Sequence, residues 1–205
     1  MRLIKYCIVF IFSLLVSFEG YGQAQLENKV IVGLLNNGND FIPEFKISKR
    51  KGRIKTYNFH KVPAFVLLNV TKSPVNEEEF DTISMFERKV LTEKDRDMLD
   101  DFCKKNGTSV PITYGFGKNT PITYMRTAEF KKMFATKNDW HSYYKKYELK
   151  PLVTISRPGF NKMKNKAFIY LTYSLGQYDG AGYYLVMKKS WGKWKPKGNM
   201  LVWVL

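Results

Sequence analysis

The sequence is poor in the residues that build most catalytic and metal sites, because its 205 residues include only 2 His and 2 Cys. It contains no H-x-x-H or H-E-x-x-H pair, no closely spaced cysteine pair and no D-x-D-x-D-G calcium loop. We therefore expect no metal site and no cofactor. A nucleophile activated by histidine could use only His60 or His141 as its base.

Acidic residues are scarce relative to basic ones, with 18 Asp and Glu against 34 Lys and Arg and a net charge of +16. A glycoside hydrolase needs two carboxylates that converge across a cleft. Here the acidic clusters fall on predicted helices, at 77–79 and 95–101, where capping and solvation explain them. This arrangement disfavours a catalytic carboxylate pair.

Long apolar runs are absent except near the N-terminus. Arg2 and Lys5 precede the run CIVFIFSLLVSF, which is followed by small residues that include Gly22. About twelve apolar residues are too few to span a bilayer, and the layout predicts a signal peptide over 1–22, cleaved between Gly22 and Gln23. We expect an exported bacterial protein, periplasmic or extracellular, with no transmembrane span in the mature chain.

Removal of that segment would also remove Cys7 and leave Cys103 alone. A single thiol excludes an internal disulfide, so the fold must depend on its apolar core. In DMLDDFCKKNG, Cys103 shares a predicted helix face with Leu99 and Phe102, and nearby acids disfavour the thiolate. These features predict a buried structural cysteine.

We predict a single α+β domain over 23–205. Residues 23–150 are predicted to be mainly helical, with one buried strand near 62–71. The predicted helices are 26–35, 76–91, 92–107, 127–134 and 138–149. For 26–35 the β-branched residues make a strand an alternative prediction. Their predicted caps are Asn76, Thr92 with Asp95, Thr127 and Asn138, and Gly107 is predicted to end 92–107 in the left-handed conformation.

After Pro151 the pattern changes to apolar and aromatic runs of strand length, separated by turn residues. These runs predict an antiparallel meander of about four strands over 151–205, with the preceding helices packed on one face.

The glycine-rich stretch SLGQYDGAGYYLVMKKSWGKW invites comparison with phosphate-binding loops. Such loops precede a helix, whereas Gly182 leads into strand material, and the spacing fits neither the dinucleotide fingerprint nor the P-loop. We interpret Gly176, Gly180, Gly182 and Gly192 as turn residues that adopt positive φ.

The C-terminal part resembles a module of a family of uncharacterised exported bacterial proteins, and the resemblance spans roughly 95–205 and is looser before that. The module has a Ser-Arg-x-Gly-Phe start, a Gly-x-Gly-Tyr turn, a Lys-Lys pair, a Gly-Lys-Trp turn and a closing strand with Trp. The matching residues are Ser156, Arg157, Gly159, Phe160, Ala167, Gly180, Gly182, Tyr183, Lys188, Lys189, Gly192, Lys193, Trp194 and Trp203. The resemblance implies a secreted fold and no particular reaction.

Basic residues interleaved with aromatics are the remaining signal. One predicted binding patch contains Lys49, Arg50, Lys51 and Arg53 with Tyr57 and Phe59. A second contains Lys188, Lys189, Lys193, Lys195 and Lys197 with Trp191 and Trp194. Such surfaces attract polyanions. Because export disfavours nucleic acid, we expect anionic envelope lipid or polysaccharide as the partner. Another envelope protein is an alternative partner. The simplest alternative is that the positive charge serves only to keep the protein soluble.

The leading hypothesis is therefore a non-catalytic domain that associates at the cell envelope through basic and aromatic surface. The alternative is a hydrolase-like enzyme with a cleft between helices and sheet, which would use His141, Ser156 or Arg157. Arg157 is predicted to lie within a strand, where it needs a carboxylate or a ligand. We favour a structural ion pair with an upstream acidic residue.

Overall fold

The structure is a computed structural model. It describes residues 22–35, 45–49, 53–57, 65–68, 71, 91–112, 122–134, 139–148 and 150–205, with the backbone alone for 45–49, 53–57 and Phe65. The predicted signal peptide over 1–22 lies outside these residues except for Gly22, and the predicted helix 76–91 does so except for Leu91. The predicted cap Asn138 also lies outside them.

The fold is α+β. The helices are α1 (22–35), α2 (Arg96–Asn106, preceded by a 3₁₀ turn at Glu93–Asp95), α3 (Thr127–Phe134) and α4 (Trp140–Tyr147). The strands are β1 (Phe45–Lys49), β2 (Arg53–Tyr57), β3 (Phe65–Leu68), β4 (Ile122–Met125), β5 (Leu152–Ile155), β6 (Gly159–Phe160), β7 (Lys166–Gly176), β8 (Asp179–Ser190) and β9 (Lys193–Val204).

The predicted C-terminal meander is confirmed as the antiparallel run β5-β7-β8-β9, in which short loops join β7 to β8 and β8 to β9. Strand β6 adds a short antiparallel pairing beside β7. The predicted strand near 62–71 is β3, and it extends the sheet by pairing parallel with β5 on one side and β4 on the other. Neither β4 nor the separate β1–β2 hairpin is predicted by the sequence.

The expectation that helices cover one face of the meander is wrong, because helices pack on both faces. Helix α1 supplies Val30, Ile31 and Leu34 to the core on one face. On the other face Phe102 of α2 packs edge-on against Phe168 of β7, with ring centroids 4.9 Å apart. Helices α3 and α4 form an aromatic cluster with β3 and β5. Double coverage explains why seven consecutive residues of β7 and eight of β8 are buried.

The start of α2 is fixed by the predicted pairing of Thr92 with Asp95. The Asp95 carboxylate accepts hydrogen bonds from the Thr92 backbone N–H at 3.0 Å and from its hydroxyl at 2.8 Å. Burial alone would raise the pKa of Asp95, but hydrogen bonds from Lys166 and Thr92 hold it below its usual value.

Two predictions about caps are wrong. Gly107 follows α2 with φ −60° and is right-handed, so it does not end the helix by the left-handed route. Helix α4 is capped by Asp139, whose carboxylate accepts from the Ser142 N–H at 2.9 Å.

Cys103 is exposed, which corrects the prediction of a buried cysteine. Helix α2 buries Met98, Leu99, Phe102 and Asn106. Cys103 lies about 100° around the helix from Phe102, outside the row formed by Met98, Phe102 and Asn106. The expected disfavouring of the thiolate is confirmed, because partial burial and the nearby Asp100 raise the pKa of the Cys103 thiol.

The glycine-rich stretch is structural, but the predicted reason applies to one residue. Among the described glycines only Gly192 has a positive φ, at 76°. Gly182 lies inside β8, where a Cβ would stand 2.6 Å from Cε2 of the Trp203 ring, so it is required by close packing. Gly180 and Gly182 lie within β8 itself, whereas the glycines of a phosphate loop precede a helix.

Close backbone approach also makes Gly159 irreplaceable. A Cβ at this position would stand 2.6 Å from the Met98 carbonyl oxygen, in the contact between β6 and α2. We predict that Gly159→Ala lowers the free energy of unfolding by about 1–3 kcal/mol, because backbone must move to relieve the overlap. Chemical denaturation followed by circular dichroism measures this change.

Gly107→Ala is the matched control, because its φ is right-handed and its added Cβ would only make an ordinary contact of 3.9 Å with the Cys103 carbonyl oxygen. We expect it to be neutral or stabilising by less than about 1 kcal/mol. Equal effects of the two substitutions would contradict the packing at Gly159.

Candidate functional site

Arg157 lies in the connection between β5 and β6, outside the strand in which the sequence placed it. Its guanidinium donates to the Glu27 carboxylate of α1 at 2.9 and 3.2 Å, which confirms the predicted structural ion pair. Glu27 is 3% exposed, so the carboxylate depends on this partner and on Lys105, 4.0 Å away. The backbone N–H and carbonyl of Arg157 both bond to the Asn106 side chain. These contacts join α1 and α2 to the β5–β6 connection.

The other two residues of the enzyme hypothesis lie in different settings. Ser156 is completely buried, and its Oγ accepts from the Tyr170 N–H at 2.8 Å while donating to the Arg157 carbonyl. His141 is exposed on α4, and the structure records no hydrogen bond between it and Ser156. No group of three His, Cys, Asp or Glu side chains within the described ranges could hold a metal ion.

The first predicted basic patch falls largely outside what the structure describes. Lys49 and Arg53 are opposite each other across the β1–β2 pair, whereas Arg50 and Lys51 lie in the undescribed connection between those strands. The strand pairing therefore brings Lys49 and Arg53 to the same end of β1 and β2.

The second predicted patch is an exposed end of the main sheet. Strands β8 and β9 are joined by the two-residue loop Trp191-Gly192, with φ of 51° and 76°. Such paired positive values are typical of the type I′ hairpin turn. Trp191 is 99% exposed. Its side chain is not stabilised by burial in the core. A bulky residue in the left-handed region also lowers the free energy of unfolding by about 1–2 kcal/mol.

Trp194, predicted as part of the binding surface, is instead a core residue with 3% of its surface exposed. The alternation of β9 turns Trp194 inward and leaves Lys193 and Lys195 exposed. The Trp194 backbone also closely approaches Gly33 of α1. Of the two tryptophans predicted for this patch, only Trp191 is exposed.

The β6–β7 loop, residues 161–165, lies at the same end of the sheet. The Asn165 carbonyl accepts from the Lys189 N–H at 2.8 Å, which ties the loop to β8. Within the loop, the Asn161 side chain bonds to Asn165 and to the Lys166 N–H. Met163 is 79% exposed on this ordered loop.

We call this surface the basic end, defined by the exposed residues Lys162, Met163, Lys164, Lys188, Lys189, Trp191, Lys193 and Lys195. Lys188 and Lys195 are directly opposite on neighbouring strands, a juxtaposition of like charges that destabilises a sheet. Neither forms an ion pair with a described carboxylate.

The opposite end of the β7–β8 hairpin carries Asp179, the only acidic residue in 149–205. Burial raises the pKa of this carboxyl and so favours its neutral form. The charged residues of 149–205 are therefore basic with one exception, and that exception lies at the end of the hairpin opposite the basic end.

An open groove of about 1060 Å³ lies between α1, α2 and the β5–β6 connection. Arg157 lines it, but its guanidinium bonds to Glu27, and Lys105 pairs with Asp101. Two of the cations that line the groove are therefore already paired with carboxylates.

Comparison with known proteins finds no matching family model, curated protein or solved structure. The family resemblance of the C-terminal module therefore stays a prediction. In the part of the chain that the structure describes, every helix is too short or too polar to cross a membrane.

The ion pair of Arg157 gives a direct test of its structural role. We predict that Glu27→Gln lowers the free energy of unfolding by about 1–3 kcal/mol, because the largely buried guanidinium loses its charged acceptor. Glu93→Gln is the control: the Glu93–Arg96 pair is solvated, so its loss should leave the free energy of unfolding close to that of the wild type. A change at Glu27 as small as that at Glu93 would show that Arg157 does not depend on this partner.

Proposed function

We propose that this chain is an exported, non-catalytic domain that associates with the anionic surface of the cell envelope, and that the basic end makes the contact. The supporting observation is the side-chain set at the β8–β9 turn: an almost completely exposed Trp191 beside exposed lysines that have no described acidic partner.

Charge favours this role over simple solubility. Spreading charge over a surface is enough for solubility, whereas here Lys188 and Lys195 are opposed across a strand pair. An anionic partner would offset this repulsion, because both lysines would then interact with its negative charge.

The placement of the three candidate catalytic residues supports a non-catalytic role. The Ser156 hydroxyl takes part in backbone hydrogen bonds, the Arg157 guanidinium is paired with Glu27, and His141 stands exposed on α4. A nucleophile needs its base within hydrogen-bond reach.

The proposal predicts that binding to an anionic surface depends more on the lysines of the basic end than on the net charge of the protein. Lys188→Ser, Lys189→Ser and Lys193→Ser together should strongly reduce binding to anionic vesicles or to alginate, an acidic polysaccharide. At a membrane surface each lysine contributes about 1 kcal/mol, or roughly fivefold in affinity. Wild-type binding should also fall as salt is raised. Cosedimentation at low and high salt measures both effects.

The control is the triple variant Lys131→Ser, Lys132→Ser and Lys145→Ser, which removes the same charge from exposed positions on α3 and α4. It should retain near-wild-type binding. Equal losses in the two triple variants, or no binding by the wild type even at low salt, would contradict the proposal.

A further inference from the structure

We propose that the anionic surface is a lipid bilayer, and that Trp191 and Met163 insert into its interfacial layer while the surrounding lysines contact the headgroups. This inference rests on the proposed function and specifies its partner. It depends on three observations about the basic end.

The first observation is that Trp191 is unsuited to its place in the fold. With φ at 51° in a two-residue turn, the position favours Asn, Asp or Gly. The side chain is 99% exposed, so no packing compensates for the backbone conformation. A residue that opposes local stability and gains no internal contact is explained by an external one.

The second observation is that a separate loop presents another apolar side chain at the same end. Met163 is 79% exposed, and its loop is attached to β8 through Asn165 and to α2 through the Asp97 carboxylate, which accepts from the Lys162 N–H at 2.8 Å. Both apolar side chains are thus carried on ordered turns, so contact with a surface requires little further ordering of backbone.

The third observation is the combination of side chains. A hydrated polysaccharide could bind lysine and stack on Trp, but it offers no apolar medium for the Met163 thioether. The bilayer interface suits all three types, because Trp lies at headgroup level, an apolar chain enters the acyl boundary and lysines contact anionic phosphates. The chemistry therefore favours lipid.

The test is the substitution Trp191→Asn, which removes the inserted side chain and relieves the turn. The protein should be produced with its own N-terminal segment, so that all variants undergo the same processing. We expect unchanged or higher thermal stability, and binding to phosphatidylglycerol-containing vesicles reduced about tenfold or more, as for loss of a buried apolar side chain. Tryptophan quenching by bromine-labelled lipid tails should be lost as well.

Tyr178→Asn is the matched control, because Tyr178 is an exposed aromatic, 79% accessible, in the turn at the opposite end of the β7–β8 hairpin. It should bind vesicles like the wild type. Met163→Gln should weaken binding in the same direction as Trp191→Asn.

Unchanged vesicle binding or unchanged quenching by Trp191→Asn would overturn insertion. So would binding of the wild type to alginate without binding to vesicles, although that outcome would leave the proposed polyanion-binding function intact. If the wild type bound neither probe at low salt, the proposed function itself would fail.

Discussion

Burial of β7 and β8 on both faces is the constraint on which the rest of the structure depends. Long apolar strands cannot leave either face in water, so helices must pack on each side of the sheet. Helix α1 meets this need on one side and α2 on the other. Polar contacts attach both helices to the connection between β5 and β6. Glu27 of α1 pairs with the Arg157 guanidinium, and Asn106 of α2 bonds to the Arg157 backbone.

Double coverage also determines where this sheet can meet a partner. Its faces are occupied by helices, so the exposed side chains of the meander lie mostly at its ends and outer strand. One end combines lysines with Trp191 and Met163 on short, hydrogen-bonded turns, while the other contains Asp179. One end of the sheet is therefore suited to an anionic surface.

Much of the fold follows from local sequence pattern. The four C-terminal strands, the starts of α2 and α3 and the burial of β3 are all readable from apolar runs and capping residues. Pairings between distant segments are not: β4 joins the sheet through a parallel contact with β3 that local patterning does not encode. The unbroken apolar run in β7 indicates that both faces of the sheet are covered, because a strand buried on one face would alternate apolar and polar residues.

The candidate surface was predicted in its lysines and its two tryptophans, but not in which tryptophan is exposed. Lysines in 188–195 are visible in the sequence, whereas the choice between Trp191 and Trp194 depends on strand alternation and on the register at the turn. Cys103 was misplaced for a similar reason, since the burial of a helix position depends on how the helix lies on the sheet. Tertiary packing decides such cases.

The orientation of the protein at a membrane tests the central claim most directly. A nitroxide label can be placed at position 163, at the basic end, or at 178, in the turn at the opposite end of the β7–β8 hairpin, in a background without Cys7 and Cys103. Electron paramagnetic resonance on anionic vesicles then reports the depth of each label. The account predicts that a label at 163 lies in the bilayer interface and one at 178 lies in water. A label at 178 in the bilayer, or both labels in water while the protein is bound, would contradict it.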